Sequence, residues 1–303
     1  METRVGFVGI GHLGAHLAAS ILRAGYPLVV HDRDRPAAAG LIEAGATWAD
    51  SPCAAAAASD CVITCLPSPA AVEAVVAGED GLLAGFAAGG TWIDMSTNDR
   101  QLLARLASQA AEHGVVTLEA PVTGGVHKAA EGEITVLVGG DEDAFMANKP
   151  LFEAVGGAVF YIGPLGSASV IKEITNMLAF IHLVAAGEAL MLARRGGLDL
   201  AQAYEVIKAS SGNSFVHETE SQLILNGSYD IGFTMDLAMK DLGFAREFGD
   251  EFGVPLELAT LVEEIFARAR AAYGGSAWSP MVVKLLEDAL QTDLRAPGFP
   301  AQL

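Results

Sequence analysis

Basic side chains are scarce in this chain: 18 Lys and Arg stand against 37 Asp and Glu, a formal net charge of −19 at pH 7. A nucleic acid or an anionic membrane needs a basic face, so neither is expected as a partner. A small anionic ligand is still allowed, because backbone amides and a few placed cations can hold one locally. Cysteine is scarcer still. Cys53, Cys61 and Cys65 are odd in number and form no CxxC pair, which argues against a disulfide framework and for reduced core thiols in a cytoplasmic protein. A leader-like segment is also lacking, since Met1-Glu2-Thr3-Arg4 runs straight into a strand pattern, so no signal peptide is expected. The one long apolar stretch, residues 170–192, is broken by Lys172, Glu173, Asn176, His182 and Glu188. That reads as a buried helix rather than a membrane span.

What is present is a chain of 303 residues, half of them hydrophobic, long enough for two domains with cores of their own. Residues 5–9 form a short apolar strand, and Gly9-Ile10-Gly11-His12-Leu13-Gly14 follows at once, opening a helix. A second strand, Leu28 to His31, ends at Asp32, 18 positions after Gly14. A GxGxxG turn between strand and helix, with an acid closing the next strand, is a dinucleotide fingerprint. Gly9 permits the tight turn, Gly11 lets backbone approach a pyrophosphate, and Gly14 lets helix and strand pack. The helix N-terminus then faces the phosphates. Asp32 would accept hydrogen bonds from ribose hydroxyls, which selects NAD. Arg33 beside it can pair with a 2′-phosphate, so NADP is not excluded.

Strand patterns at 61–66, 91–95, 115–119 and 159–162 alternate with helical ones, predicting a parallel, doubly wound α/β sheet of Rossmann type. Ligands gather beyond the carboxyl ends of such strands, where Leu66-Pro67, Ser96-Thr97 and Pro121-Val-Thr-Gly-Gly125 fall. After Pro164 the strand signal stops, and helical patterns fill 169–194, 200–210, 235–251, 256–272 and 280–289. The expected organisation is a dinucleotide-binding domain over 1–163, then an all-α substrate and oligomerisation domain over 164–303. A long interdomain helix enters the second domain.

Three pieces point to chemistry. The fingerprint is one. Thr123-Gly124-Gly125 is the second, a loop whose open amides and hydroxyl suit a carboxylate or similar anion. The third is Lys172 with Asn176, four apart on one helix face among apolar neighbours including Ile174 and Leu178. Hydride exchange between a nicotinamide and a carbonyl needs a proton moved at the carbinol oxygen. A buried lysine can move it, since desolvation disfavours the ammonium, and Asn176 can orient the oxygen. His12 and His16 are spaced for a metal, but no third ligand is placed, so none is expected. His31, His113, His127, His182 and His217 are scattered and form no set.

These motifs resemble those of the β-hydroxyacid dehydrogenases, the family of 3-hydroxyisobutyrate dehydrogenase, tartronate semialdehyde reductase and sulfolactaldehyde reductase. The resemblance runs from Gly6-Phe-Val-Gly-Ile-Gly-His-Leu-Gly14 through Asp94-Met-Ser-Thr97, Ala120-Pro-Val-Thr-Gly-Gly125 and Gly166-x5-Lys172-x3-Asn176 to Lys240-Asp-Leu-Gly-Phe-Ala245. It implies Lys172 as proton donor or acceptor supported by Asn176, with the substrate's acid group on Thr123, Gly124 and Gly125 and Phe233 walling its pocket. It implies Leu66, Pro67, Ser96 and Thr97 at the nicotinamide end of the cofactor, Lys240 on the cofactor side, and a homodimer or homotetramer built through the helical domain. Thr123 departs from the serine common there, and Asn98-Asp99-Arg100 lacks a proline often found after the Ser-Thr pair. The expected reaction is hydride transfer between NAD(P) and a small 3-hydroxy acid. The competing expectations are an imine reductase of the same architecture, which generally has Asp or Tyr in place of the lysine, and a non-catalytic dinucleotide-binding protein.

Overall fold

The computed structural model describes residues 3–303; Met1 and Glu2, part of the stretch expected to carry no leader, lie outside the described residues. The chain divides into two compact units, Met1–Lys172 and Glu173–Leu303. In the first, strands β1 (Val5–Val8), β2 (Leu28–His31), β3 (Thr47–Trp48), β4 (Cys61–Thr64), β5 (Thr91–Asp94), β6 (Val116–Glu119), β7 (Val122–Thr123), β8 (Thr135–Gly140) and β9 (Ala158–Gly163) make one sheet. Their order is β3-β2-β1-β4-β5-β6-β8-β7, with β9 pairing β8. Helices α1 (Gly14–Arg23), α2 (Ala39–Glu43), α3 (Pro52–Ala57), α4 (Pro69–Ala77), α5 (Leu82–Gly85), α6 (Arg100–Glu112), α7 (Gly125–Glu131) and α8 (Glu142–Val155) connect them.

Several of these helices begin where a side chain satisfies an otherwise orphaned first-turn amide. Ser51, Ser68, Asp99 and Asp141 accept from Ala54, Ala71, Leu102 and Ala144. The strands read as unbroken apolar runs because both sheet faces are covered. Phe7, Ile63 and Ile93 pack with Leu17, Ile21 and Phe152 on one side, while Val62 and Trp92 pack with Val72, Leu103 and Leu106 on the other.

The expected all-parallel sheet is corrected in part. β1 to β6 are parallel, but β8 runs antiparallel to β6 and β7, and β9 is parallel to β8. The seven-residue α7 ends at Gly132 in the left-handed region, φ 75°, too early for a full crossover, so the chain turns back on itself. β8 and the short β3 and β7 are strands that the periodicity did not announce.

In the second unit the regular elements are helical: the greater part of α9 (Ser167–Arg195), then α10 (Leu200–Lys208), α11 (Phe215–Asn226), α12 (Met235–Phe252), α13 (Glu257–Tyr273) and α14 (Lys284–Leu290). Phe180, Leu190, Tyr204, Ile224, Met235, Leu242 and Phe266 form its core. α11 is an element the sequence reading left out; Ser214 caps it and Gly227 at φ 95° ends it. The C-terminal tail is irregular but anchored, with Leu294 fully buried and Arg295 donating to Ile224 O and Glu287.

The expectation of apolar burial all round α9 is also corrected. Lys172 and Glu173 are buried, yet Ile174 and Leu178 are each 42% exposed and Leu192 is 77% exposed. A helix apolar on every face is wholly covered only if neighbours surround it, and within one chain they do not.

Candidate active site

Because β1, β2, β4 and β5 are parallel, their carboxyl ends share one edge of the sheet, and most residues expected at a dinucleotide gather there. Gly9 has φ 102°, and a Cβ on it would overlap the Cys65 carbonyl oxygen. A Cβ on Gly14 would overlap the Gly9 carbonyl oxygen, whereas one on Gly11 would meet nothing within 4 Å. Turn, close packing and open approach thus fall at the three glycines assigned to them, and Gly11 and His12 are exposed. Ile10 is buried beneath them and Leu13 half-buried.

Asp32 braces this turn. Its Oδ2 accepts from the Ile10 amide at 2.6 Å and its Oδ1 from the Asp34 amide at 2.9 Å. Each oxygen keeps further acceptor capacity for a ribose hydroxyl, and Arg33 is exposed alongside. The rim beyond β4 and β5 is tied too, since Ser96 Oγ accepts from the Leu66 amide at 2.9 Å. Pro67 is exposed there and Thr97 half-buried. A turn open at Gly11, a helix N-terminus behind it and a carboxylate at the ribose position fit a dinucleotide.

Thr123 is in β7, paired with Thr135 of β8. Gly124 and Gly125 follow at φ 127° and 85°, a conformation that strains any other residue. Lys172 is 8% exposed in the second turn of α9, within the same unit as the fingerprint and the loop. Asn176 lies one turn further along, in the second unit, where its Nδ2 donates to Asp241 Oδ2 at 2.6 Å. Lys240 pairs with Asp241 Oδ1 at 2.7 Å and stands 5.0 Å from the centre of the Phe244 ring. Phe233 is half-buried, tilted against Phe180 at 6.1 Å between ring centres.

A family model of the NAD binding domain of 6-phosphogluconate dehydrogenase matches residues 4–163. A second, described as NAD-binding of NADP-dependent 3-hydroxyisobutyrate dehydrogenase, matches residues 166–286. The chain is 33% identical to a 2-(hydroxymethyl)glutarate dehydrogenase of Eubacterium barkeri, over 94% of this chain and 95% of that one. It is 36% identical to an NAD-dependent L-serine dehydrogenase of Pseudomonas aeruginosa, over 80% of this chain and 84% of the relative. The chain belongs to the β-hydroxyacid dehydrogenase family. The crystal structure of a 3-hydroxyisobutyrate dehydrogenase from Salmonella typhimurium superposes with a TM-score of 0.87 at 33% identity, covering 93% of this chain and 99% of that one. An imine reductase from Pseudomonas sp. shares the fold alone, with a TM-score of 0.64 at 19% identity.

Within this β-hydroxyacid dehydrogenase, three buried carboxylates escaped the sequence reading as site residues. Asp94 accepts from Thr64 Oγ1 at 2.8 Å, the Ser96 amide at 3.1 Å and Asn98 Nδ2 at 2.9 Å. Burial pushes its carboxyl up from the usual range, against those hydrogen bonds. Glu119 is pushed up by burial likewise, opposed by donors from Ser169, Ala168 and Gly166. Asp241 holds both Asn176 and Lys240. The signal for all three was adjacency, since each stands within four residues of a motif residue already singled out. His127, set aside with the scattered histidines, has its ring 3.1 Å from where a Gly125 Cβ would sit, and burial pushes its imidazole below the ordinary value.

Proposed function

We propose that this dehydrogenase interconverts a small 3-hydroxy acid and its carbonyl partner, with NAD as the preferred nicotinamide carrier. The observation that carries this reading is Lys172, a lysine only 8% exposed in a unit that also holds a complete dinucleotide turn and an amide-rich loop. A lysine is almost never so buried without pairing or function. Thr123 with the Gly124 and Gly125 amides would hold the substrate's acid group. The Lys172 amine would take the proton from the alcohol in oxidation and return it in reduction, with the Asn176 amide orienting that oxygen. When bound, the nicotinamide accepts or supplies the hydride. Gly9 to Gly14, Asp32, Arg33, Leu66, Pro67, Ser96 and Thr97 would seat the dinucleotide, Phe233 would contact substrate and Lys240 cofactor. The functional boundary is proposed at residues 163 and 164.

The family relatives act, by their names, on 2-(hydroxymethyl)glutarate, L-serine and 3-hydroxyisobutyrate, each small and acidic, which supports this substrate class. The exposed apolar residues Ile174, Leu178 and Leu192 of α9 support a homodimer or homotetramer, to be checked by analytical ultracentrifugation. The three free thiols suit a cytoplasmic setting, checked by fractionation.

The deciding assay follows reduced-nicotinamide absorbance with a panel of 3-hydroxy acids, 3-hydroxy sulfonates and 3-hydroxy amino acids. Each is run with NAD and NADP on wild type and Lys172→Ala. The expected result is NAD-linked turnover of at least one, lowered about 10²- to 10⁴-fold in Lys172→Ala. Undiminished activity in that variant would remove Lys172 from the mechanism. Reduction of cyclic imines without turnover of any hydroxy acid would overturn the substrate class.

A further inference from the structure

Glu119, the last residue of β6, is 1% exposed and spends its whole carboxylate on the start of α9. Oε1 accepts from the Gly166 amide at 2.6 Å and the Ala168 amide at 2.8 Å. Oε2 accepts from the Ser169 amide at 3.1 Å and from the Ser169 hydroxyl. First-turn amides have no partner inside their own helix and favour an anion at that end. The usual solution is a local cap, but the nearest candidate, Ser167, donates its hydroxyl backward to Pro164 O at 2.6 Å. The acceptor comes instead from 47 to 50 residues away.

The surroundings are shaped for it. Gly139 is the register partner of Glu119 on β8, and a Cβ there would overlap Oε1. Gly166 donates from φ 95°, where glycine alone sits without strain.

What this grip controls follows from spacing. Lys172 is four residues after Ala168 and three after Ser169, so it stands on the same helix face, one turn on. Helical side chains lean toward the N-terminus, so its stem lies over the turn that Glu119 holds. In the other direction Glu119 is four residues before Thr123. We propose that Glu119 is a positioning residue, which sets the Lys172 amine against the Thr123–Gly125 loop by clamping the first turn of α9 to the strand that leads into that loop. This rests on Lys172 being the proton-transfer group. Glutamine cannot replace it, because an amide offers one acceptor oxygen and turns an NH2 toward amides that are themselves donors.

The test uses the full chain with Glu119→Gln, Ser169→Ala, Lys172→Ala and Glu119→Gln/Lys172→Ala. It reads kcat, KM, the pH profile of kcat/KM, NAD affinity by fluorescence, and thermal unfolding. Glu119→Gln is expected to lower kcat about 10- to 100-fold, the scale of an ångström-level misplacement, with NAD affinity held. The ionisation governing kcat/KM should shift, since an amine displaced within its pocket meets different desolvation and different neighbours. In Lys172→Ala the same change should cost no further activity, because the two act through one group. Ser169→Ala, which keeps the three backbone donors, should lower kcat about 2- to 5-fold. A Glu119→Gln enzyme that loses thermal stability but keeps kcat and pH profile, or that loses as much again in Lys172→Ala, would overturn the proposal. If Glu119→Gln does not fold, a wild-type kcat and pH profile in Ser169→Ala overturns it. Full activity in Lys172→Ala would instead bring down the reading of the lysine.

Discussion

Replacing Asp241 by asparagine tests how the second unit holds its two polar site candidates. The side chain is 1% exposed, with Lys240 Nζ at 2.7 Å from one oxygen and Asn176 Nδ2 at 2.6 Å from the other. An asparagine there would keep the volume but present one acceptor and one donor to two donors, and it would leave the ammonium without its counter-charge. Breaking a buried pair by removing one partner costs about 3–5 kcal/mol. The Lys240 side chain is 19% exposed and can reach toward water, so the expected loss is about 2–3 kcal/mol. For a chain of this size that lowers the melting temperature by about 3–5 °C, read by circular dichroism. If Asn176 orients the substrate's oxygen, releasing its amide should also lower kcat/KM about 10- to 100-fold. Asn176→Ala should cost similar activity but only about 1 kcal/mol of stability, and the double variant should be less than additive. A melting temperature and kcat/KM both unchanged in Asp241→Asn would refute the view that this carboxylate orders its neighbours.

Gly14→Ala places a methyl against the Gly9 carbonyl oxygen and 3.3 Å from the Phe7 ring; overpacking of about 1–3 kcal/mol and NAD binding weakened about tenfold or more, by fluorescence titration, are expected. Burial pushes the Cys61 thiol up to about 12, and Cys61 alone of the three is buried, so at pH 8 a thiol-specific disulfide reagent should reach it only after denaturation. Burial raises the Glu220 carboxyl from 4.5 to about 8, and its Oε2 has no hydrogen-bond partner among the described residues. The folded state therefore holds a proton that the unfolded state releases, so this group's stabilising contribution is present below pH 4.5 and lost as pH rises toward 8. Glu220→Gln should accordingly raise the melting temperature more at about pH 8 than at about pH 5.

The parts of the fold and site that were legible in the sequence are those whose cause is local. Gly9, Gly11 and Gly14 stand out because a turn within six residues demands them, and Lys172 because a lysine in an apolar run contradicts its surroundings. The direction of β8 was not legible, because it depends on α7 stopping at Gly132 after seven residues, which no hydrophobic period encodes. Nor was the exposure of Ile174 and Leu178: an all-round apolar pattern says that a helix needs covering, not which molecule covers it. The change of period after Pro164 announced where the helices begin, whereas the compact units divide later, between Lys172 and Glu173.

The carboxylates were hidden for a different reason. Asp94, Glu119 and Asp241 are each at most 2% exposed, a position an acid can hold only when donors surround it. At least one donor to each lies far off in sequence, at separations of 30 for Thr64 with Asp94, 47 to 50 for the α9 donors with Glu119, and 65 for Asn176 with Asp241, although Ser96 and Asn98 near Asp94 and Lys240 beside Asp241 are local. A sequence shows the acid but not the ring of donors, so each looked like an ordinary strand end or helix residue. Once the donors are known, the three perform one task. Asp94 fixes the Ser96 amide, whose own hydroxyl holds Leu66; Glu119 fixes the turn before Lys172; Asp241 fixes Asn176. Residues proposed to meet ligand are held by acids beside them in the chain or across it. A buried carboxylate tied by hydrogen bonds or an ion pair is costly to misplace, because any oxygen that loses its partner stays out of reach of water.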